Sequence, residues 1–231
     1  MQTAIDWISK QPQLCSTNIG VLGTSNGALI ATNMACVSDR VSAVVCVNTF
    51  MTMDPFNPVK YKGETLPKIS LPHFLVRYGI RWAAQWIFSE DFADSFLDYY
   101  MHPIQNCRAK FLFHASSLDG LFNSVDAAKG LLAHLRRHGQ TDRAKVMIHE
   151  GAGHLIDPPF FPFVGIAYHI FKDSFMYFGG QPNLHVRCQQ DAWTETLRFF
   201  RTNIGRQADL NFAEVINSIV ANGKLTECSD G

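Results

Sequence analysis

Ile19-Gly20-Val21-Leu22-Gly23-Thr24-Ser25-Asn26-Gly27 is the stretch that decides how this chain is read. Its first residues form a short apolar run, as a buried strand does, and the stretch from Ala28 to Ala35 behind it is compatible with a helix. Ser25 therefore stands at the apex of a sharp strand-to-helix turn. Glycines suit both flanks, because such a turn imposes strained backbone angles and a close helix–strand approach that leaves no room for side chains. A serine between glycines is often an ordinary turn; the strand before it and the helix after it favour a nucleophile.

Two loops further along supply what a serine hydroxyl needs. After the β-rich run Lys110-Phe111-Leu112-Phe113-His114-Ala115 comes Ser116-Ser117-Leu118-Asp119-Gly120, and after Lys145-Val146-Met147-Ile148-His149 comes Glu150-Gly151-Ala152-Gly153-His154. Both loops follow strand carboxyl ends, where open α/β sheets place their chemistry. A neutral imidazole must take the serine proton, and a carboxylate must fix the tautomer and stabilise the imidazolium. The order Ser25, Asp119, His154 is that of the α/β-hydrolase architecture. Asp126 and Asp157 are the alternative acids. The first suits the opening turn of a helix and its dipole, and the second lies so close behind His154 that a cap or turn role fits better. Of the nine histidines, His114 reads as a core residue inside a strand. His134 and His138 share a helical spacing that can bind metal, but no third ligand accompanies them, so a solvated face is expected.

Composition bounds the rest. A chain of 231 residues can bury a sizeable single core. Lys+Arg and Asp+Glu are both 20, which speaks against a nucleic-acid partner, since that would want a basic face. The six cysteines (15, 36, 46, 107, 188 and 228) lack metal or C-x-x-C spacing. Cys36 and Cys46 read as small hydrophobes, and a reducing, intracellular and cytoplasmic setting is expected. No signal peptide, membrane span or Ser-Lys-Leu peroxisomal terminus is legible. The most apolar stretch, Phe160 to Phe171, is broken by Pro162 and His169.

Short apolar strands are expected at 19–23, 42–47, 110–115 and 145–149, and helices at 2–10, 26–36, 124–138 and about 187–202. Alternation of this kind predicts α/β structure: a parallel, doubly wound sheet with helices on both faces. Residues 54–104, rich in proline and aromatics, read as an inserted excursion beside the active site, and 205–231 as a tail with one short amphipathic helix. Only residues 1–18 precede the elbow strand, whereas a complete hydrolase sheet has several strands there. The expectation is a partial α/β-hydrolase fold whose first half is absent, with the 19–23 strand an exposed edge open to self-association.

Four stretches resemble the acyl-CoA thioesterase and bile acid-CoA:amino acid N-acyltransferase family, in its carboxyl-terminal hydrolase domain. They are Gly20-Val21-Leu22-Gly23-Thr24-Ser25, Tyr61-Lys62-Gly63-Glu64-Thr65-Leu66-Pro67, Gly153-His154-Leu155-Ile156-Asp157-Pro158-Pro159-Phe160-Phe161-Pro162, and Gly179-Gly180-Gln181-Pro182 with His185 and Asp191-Ala192-Trp193. The resemblance covers residues 1–204 and maps Ser25, Asp119 and His154 onto the family's triad, with the Asn26 backbone N–H in the oxyanion hole. It implies an acyl-CoA substrate and no cofactor or metal. Members with cysteine as nucleophile conjugate acyl groups to glycine or taurine, and members with serine hydrolyse acyl-CoA, so Ser25 implies a thioesterase. The alternatives are an amino acid N-acyltransferase and a catalytically inactive truncated isoform acting as a binding module. The chain departs from the family in having Asn26 where lysine is usual.

Overall fold

The computed structural model describes residues 2–11, 14, 17–50, 60–61, 64–65, 101–169 and 173–204. In chain order the elements are α1 (Gln2–Ser9), β1 (Ile19–Thr24), α2 (Asn26–Val37), β2 (Val41–Val47), β3 (Lys60–Tyr61), β4 (Glu64–Thr65), β5 (Lys110–Ser116), α3 (Ser124–Arg137), β6 (Ala144–His149), β7 (Ile166–His169), β8 (Ser174–Tyr177) and α4 (Pro182–Asn203). Short 3₁₀ turns at Ile104–Asn106 and Thr141–Arg143 lead into β5 and β6.

Strands β1, β2, β5 and β6 form one sheet in that order, and every pairing is parallel. Alternation along the strands divides the sheet into two covered faces. On one, Val44, Cys46, Phe111 and Phe113 pack against Ile5 of α1, Ala28, Ala31 and Ala35 of α2, and Leu131 and Leu135 of α3. On the other, Val47 clusters with Cys188 and Ala192 of α4, and Gly20 leaves the space that the Phe200 ring fills. At β2 and β5 both faces are buried, which is why these strands read as continuous apolar runs; Leu22 of β1 and Ile148 of β6 are exposed. A parallel sheet with helices on both faces and a serine turn at the end of β1 is the α/β-hydrolase arrangement.

The expected strands and first three helices fall within two residues of those observed. Helix α4 begins five residues earlier than its apolar spacing suggests, because Pro182 opens it; proline's fixed φ suits the first helical turn, where its missing N–H is not needed. The antiparallel hairpin β7–β8 falls in and behind the apolar stretch from Phe160, and no turn signal in the sequence pointed to it. Ile166, Tyr168, Phe175 and Tyr177 are paired across it and all remain exposed. Among the described residues, β1 pairs with β2 alone, and no helix is long and apolar enough to cross a membrane. The tail at 205–231 lies outside the described residues. So does most of the 54–104 segment, from which only β3, β4 and residues from Met101 onward are described.

Candidate active site

The turn after β1 carries the strain its sequence promised. Ser25 has φ 55° and ψ −121°, a region that non-glycine residues rarely adopt and that persists only when its surroundings hold it. What holds it is local: the Ser25 N–H donates to the Val47 carbonyl (2.8 Å), while its own carbonyl accepts from Ala28 N–H (2.9 Å) at the start of α2. The two elbow glycines are not equivalent. A Cβ on Gly23 would lie 2.1 Å from the Gly27 carbonyl oxygen, so glycine is required there. A Cβ on Gly27 would meet nothing within 4 Å among the described residues, and its φ is not positive. The expectation that both flanks demand glycine is thus corrected: crowding is one-sided, because the Gly27 backbone faces Gly23 while the space at its own Cβ position is open.

Asp119 and His154 come together at the carboxyl ends of β5 and β6. His154 Nδ1 donates to Asp119 Oδ2 at 2.8 Å, and both side chains are 1% exposed. Asp119 Oδ1 accepts the Leu121 (2.9 Å) and Phe122 (3.3 Å) backbone N–H groups, so the carboxylate is held at both oxygens. The imidazole lies between Phe122, edge-on at 5.0 Å, and Phe178, stacked at 6.0 Å. Its Nε2 is buried with no hydrogen-bond partner among the described residues; Ser25 Oγ is therefore not bonded to it. The alternative acids lie elsewhere. Asp126 caps the start of α3 in exchange with Asn123, and Asp157 has its carboxyl pushed up by burial near His185.

Residues that the sequence reading gave no role hold this pair in place. Asn48, buried and with φ 51°, accepts the Ser116 N–H (2.8 Å) and donates to the Ser116 hydroxyl (2.9 Å) and the His154 carbonyl (2.6 Å). One side chain at the end of β2 thereby ties β5 to the histidine loop. Gly179, with φ 75°, passes so near the acid loop that a Cβ would lie 2.0 Å from the Leu118 carbonyl oxygen. Beside it, the Phe178 carbonyl accepts both Gly120 N–H (3.1 Å) and His154 N–H (2.7 Å). His185 Nδ1 accepts the Gly153 N–H at 3.0 Å. That nitrogen must be bare, which places the proton on Nε2 (assigned from the hydrogen bond), and burial holds the group's pKa down. Only Gly179, Gly180 and His185 had signalled themselves, as parts of the family resemblance. Asn48 follows a strand like many asparagines and carried no signal.

His114 and His134, among the described residues, have structural partners. His114 bonds His149 (2.9 Å) and Thr196 (3.1 Å), and burial pushes its pKa down to about 3. His134 is buried against Gln105 at 2.9 Å, so the solvated face expected for His134 and His138 is correct only for His138; the lower turn of α3 covers Gln105. Among the described residues, no three His, Cys, Asp or Glu side chains group as metal ligands. A cavity of about 50 Å³ lies under the elbow, lined by Thr24, Val47, His114 and Trp193 among others. Ligand pockets run to ~300–1,000 Å³, so this is a packing void and not an acyl site.

Comparison with known proteins adds to this geometry. Residues 1–206 match the family model described as BAAT / Acyl-CoA thioester hydrolase C terminal. The chain is 28% identical over 203 residues to acyl-coenzyme A amino acid N-acyltransferase 2 of Rattus norvegicus, which covers 88% of this chain and 48% of that protein. It is 26% identical over 207 residues to the mitochondrial acyl-coenzyme A thioesterase 2 of Mus musculus, covering 90% and 45%. The chain thus spans about half the length of these relatives. Among solved structures, an acylaminoacyl peptidase of Pyrococcus horikoshii aligns with a TM-score of 0.49 at 12% identity, over 91% of this chain and 28% of that one.

Proposed function

Because this chain belongs to the BAAT / acyl-CoA thioester hydrolase C-terminal family, we propose that it hydrolyses acyl-CoA to free acid and CoA, with Ser25 as nucleophile, His154 as base and Asp119 as its carboxylate. The observation that carries this reading is the buried His154–Asp119 pair, whose second imidazole nitrogen is unpartnered. With Nδ1–H committed to Asp119, Nε2 is the basic nitrogen, free to take the proton of a serine hydroxyl. The strained turn presents Ser25 at the start of α2, where the first helical N–H groups have no intrahelical partner. The Asn26 N–H is accordingly one donor for the oxyanion.

In the proposed cycle His154 Nε2 removes the Ser25 proton as the oxygen attacks the thioester carbonyl. The C–S bond breaks and CoA leaves as its thiolate, which takes up the proton from the imidazolium. Water, deprotonated at the same nitrogen, then attacks the Ser25 ester; the C–O bond to Ser25 breaks, the acid leaves, and the imidazolium returns its proton to Ser25 Oγ. The rival reading is transfer of the acyl group to an amino acid, favoured by relatives of that name at 28% identity. A serine ester suits attack by activated water, whereas a thioester on cysteine suits an amine. Incubating the protein with a panel of acyl-CoAs, with and without glycine or taurine, tests the choice. Thiol release matched by free acid is expected, and amide product in its place would overturn it.

A further inference from the structure

Cysteines 36 and 107, remote in sequence, meet under the carboxyl end of α2. Cys36 is in that helix's last turn, and Cys107 closes the 3₁₀ turn Ile104–Asn106. Their thiols lie close enough to shift each other's titration. The Cys107 thiol donates to the Ile104 carbonyl at 3.2 Å, and its sulfur lies 3.4 Å from Arg143 Nη2. That guanidinium is fixed in place: it donates to the carbonyls of Ile104 (3.1 Å) and Ala109 (2.7 and 3.2 Å), and to Gln140 Oε1 (2.6 Å). Among the described residues, each of its other partners is a carbonyl or amide oxygen. Cys107 is the one group touching it that can become an anion.

We propose that Cys107 and Cys36 form a redox-sensitive dithiol, in which Cys107 is the thiolate that attacks a hydroperoxide and Cys36 is the thiol that resolves it to a disulfide. A half-buried cation whose other partners are neutral oxygens stabilises the one anion beside it, and a thiolate is the reactive form of cysteine. The neighbouring Cys36 thiol, the Ala109 backbone and Arg143 outweigh the opposing effect of burial, and the Cys107 pKa is lowered to about 7. Cys36, by contrast, is pushed up by its bond to Cys107 and by burial, so it keeps its proton until it is needed. Cys46, on the neighbouring strand, is buried against Thr32 and pushed up to about 12. It lies in the same core without the arginine, and so serves as the internal control.

The chemistry balances with a hydroperoxide as oxidant. The Cys107 thiolate attacks one peroxide oxygen, the O–O bond breaks, and the departing hydroxide or alkoxide takes a proton; the sulfur is oxidised by two electrons to a sulfenic acid. Cys36 sulfur then attacks the Cys107 sulfur, the S–O bond breaks, and the leaving hydroxide takes the Cys36 proton to give water. The product staples the last turn of α2, the helix that Ser25 opens, to the approach of β5. Cys36 and Cys107 are 7% and 6% exposed, so the oxidant must be small, such as hydrogen peroxide.

The test uses the whole reduced chain and hydrogen peroxide, followed by peptide mapping. The expected product is a Cys36–Cys107 cross-linked peptide, reversed by dithiothreitol. In Cys36→Ser the sulfenic acid persists on Cys107 and is captured by dimedone, and Cys107→Ser gives no cross-link. Native alkylation by iodoacetamide should be at least ~tenfold faster at Cys107 than at Cys46. Because this last measurement needs no variant, a misfolded mutant cannot obscure it. Equal alkylation of Cys107 and Cys46, no reaction of Cys107 with peroxide, or a disulfide from Cys107 to a different cysteine overturns the proposal.

Discussion

The two halves of the candidate site are held in opposite ways. The His154–Asp119 half is fixed from many directions: Asn48 from β2, Ser116 from β5, His185 from α4, and the Phe178 carbonyl at the end of the β7–β8 hairpin. The Ser25 half hangs on one strand at the end of the sheet and one close approach, at Gly23. Its strain is held by few bonds. Acid and base therefore sit in a packed, buried frame, while among the described residues the nucleophile turn has fewer ties. A site divided in this way concentrates its dependence on distant residues in the histidine half.

The largest effect should come from the pair itself. On the proposed mechanism Asp119→Asn leaves the fold in place but offers His154 Nδ1 an amide that cannot enforce the tautomer, and turnover should fall by about 10⁴. Asp126→Asn touches only the α3 cap and should leave turnover near wild type. Steady-state thiol release from acyl-CoA ranks the two, and the reverse ranking would place the acid elsewhere. Next comes the clamp. Gly179→Ala puts a methyl 2.0 Å from the Leu118 oxygen at a positive φ, so the Asp119 loop or the hairpin base must move. A loss of at least ~3 kcal/mol is expected in urea unfolding, together with loss of the His154–Asp119 proton signal in low-field NMR. An unchanged signal would mean that the loops are held without the glycine.

Asn48 lets the frame be probed through its hydrogen bonds, with an added backbone cost for leucine at φ 51°. Asn48→Leu removes a donor and an acceptor, leaving the His154 carbonyl buried and unpaired and the Ser116 N–H with only its longer bond to Ser124 Oγ (3.2 Å). A cost of about 2–3 kcal/mol follows, and turnover should fall more than binding, because the His154 backbone loses its anchor. If stability falls while turnover per folded molecule is unchanged, Asn48 is a fold residue alone. Acid attacks the same frame more gently. His114 is held neutral down to about 3 against an ordinary 6.5, so between those values the unfolded chain binds a proton that the folded one refuses. Stability is therefore full above pH 6.5 and is lost as pH falls towards 3, by at most about 1.4 kcal/mol per pH unit from this group. His149 and His185 are displaced in the same direction. Urea unfolding from pH 7 to 4 should show the slope, and His114→Asn should flatten it; an equal slope in both would assign the acid sensitivity to other groups.

How far the sequence could be read follows the same division. The elbow was legible because its requirements are local: a strand, Gly23, a serine and a helix within a dozen residues. Asp119 and His154 were legible as loops behind β-type runs, and the structure brings the two side chains into contact. What joins them was not, because it is made of contacts between segments far apart. Asn48 becomes informative only once β2 lies beside β5, and Gly179 only once the hairpin base meets the acid loop. Cys36 likewise read as a small hydrophobe, and Cys107 as one of six scattered cysteines, until α2 was packed over the 3₁₀ turn. The β7–β8 hairpin escaped because its apolar residues alternate outward, opposite to the burial that an apolar run leads one to expect.

The smallest effect, and the finest test of the comparison, lies within the elbow. Gly23 and Gly27 look symmetrical around Ser25 in the sequence, yet only Gly23 is crowded. Gly27 occupies the first turn of α2 with helical space around it and no positive φ. Alanine there reduces the freedom of the unfolded chain without a clash, so Gly27→Ala should stabilise the protein by about 0.4–1 kcal/mol. Gly23→Ala drives a methyl into the Gly27 carbonyl and should prevent the turn from closing. Paired urea titrations separate the two, with circular dichroism as the check on fold. If Gly27→Ala proves as damaging as Gly23→Ala, the turn is crowded on both sides, and the nucleophile half is held more tightly than its bonds suggest.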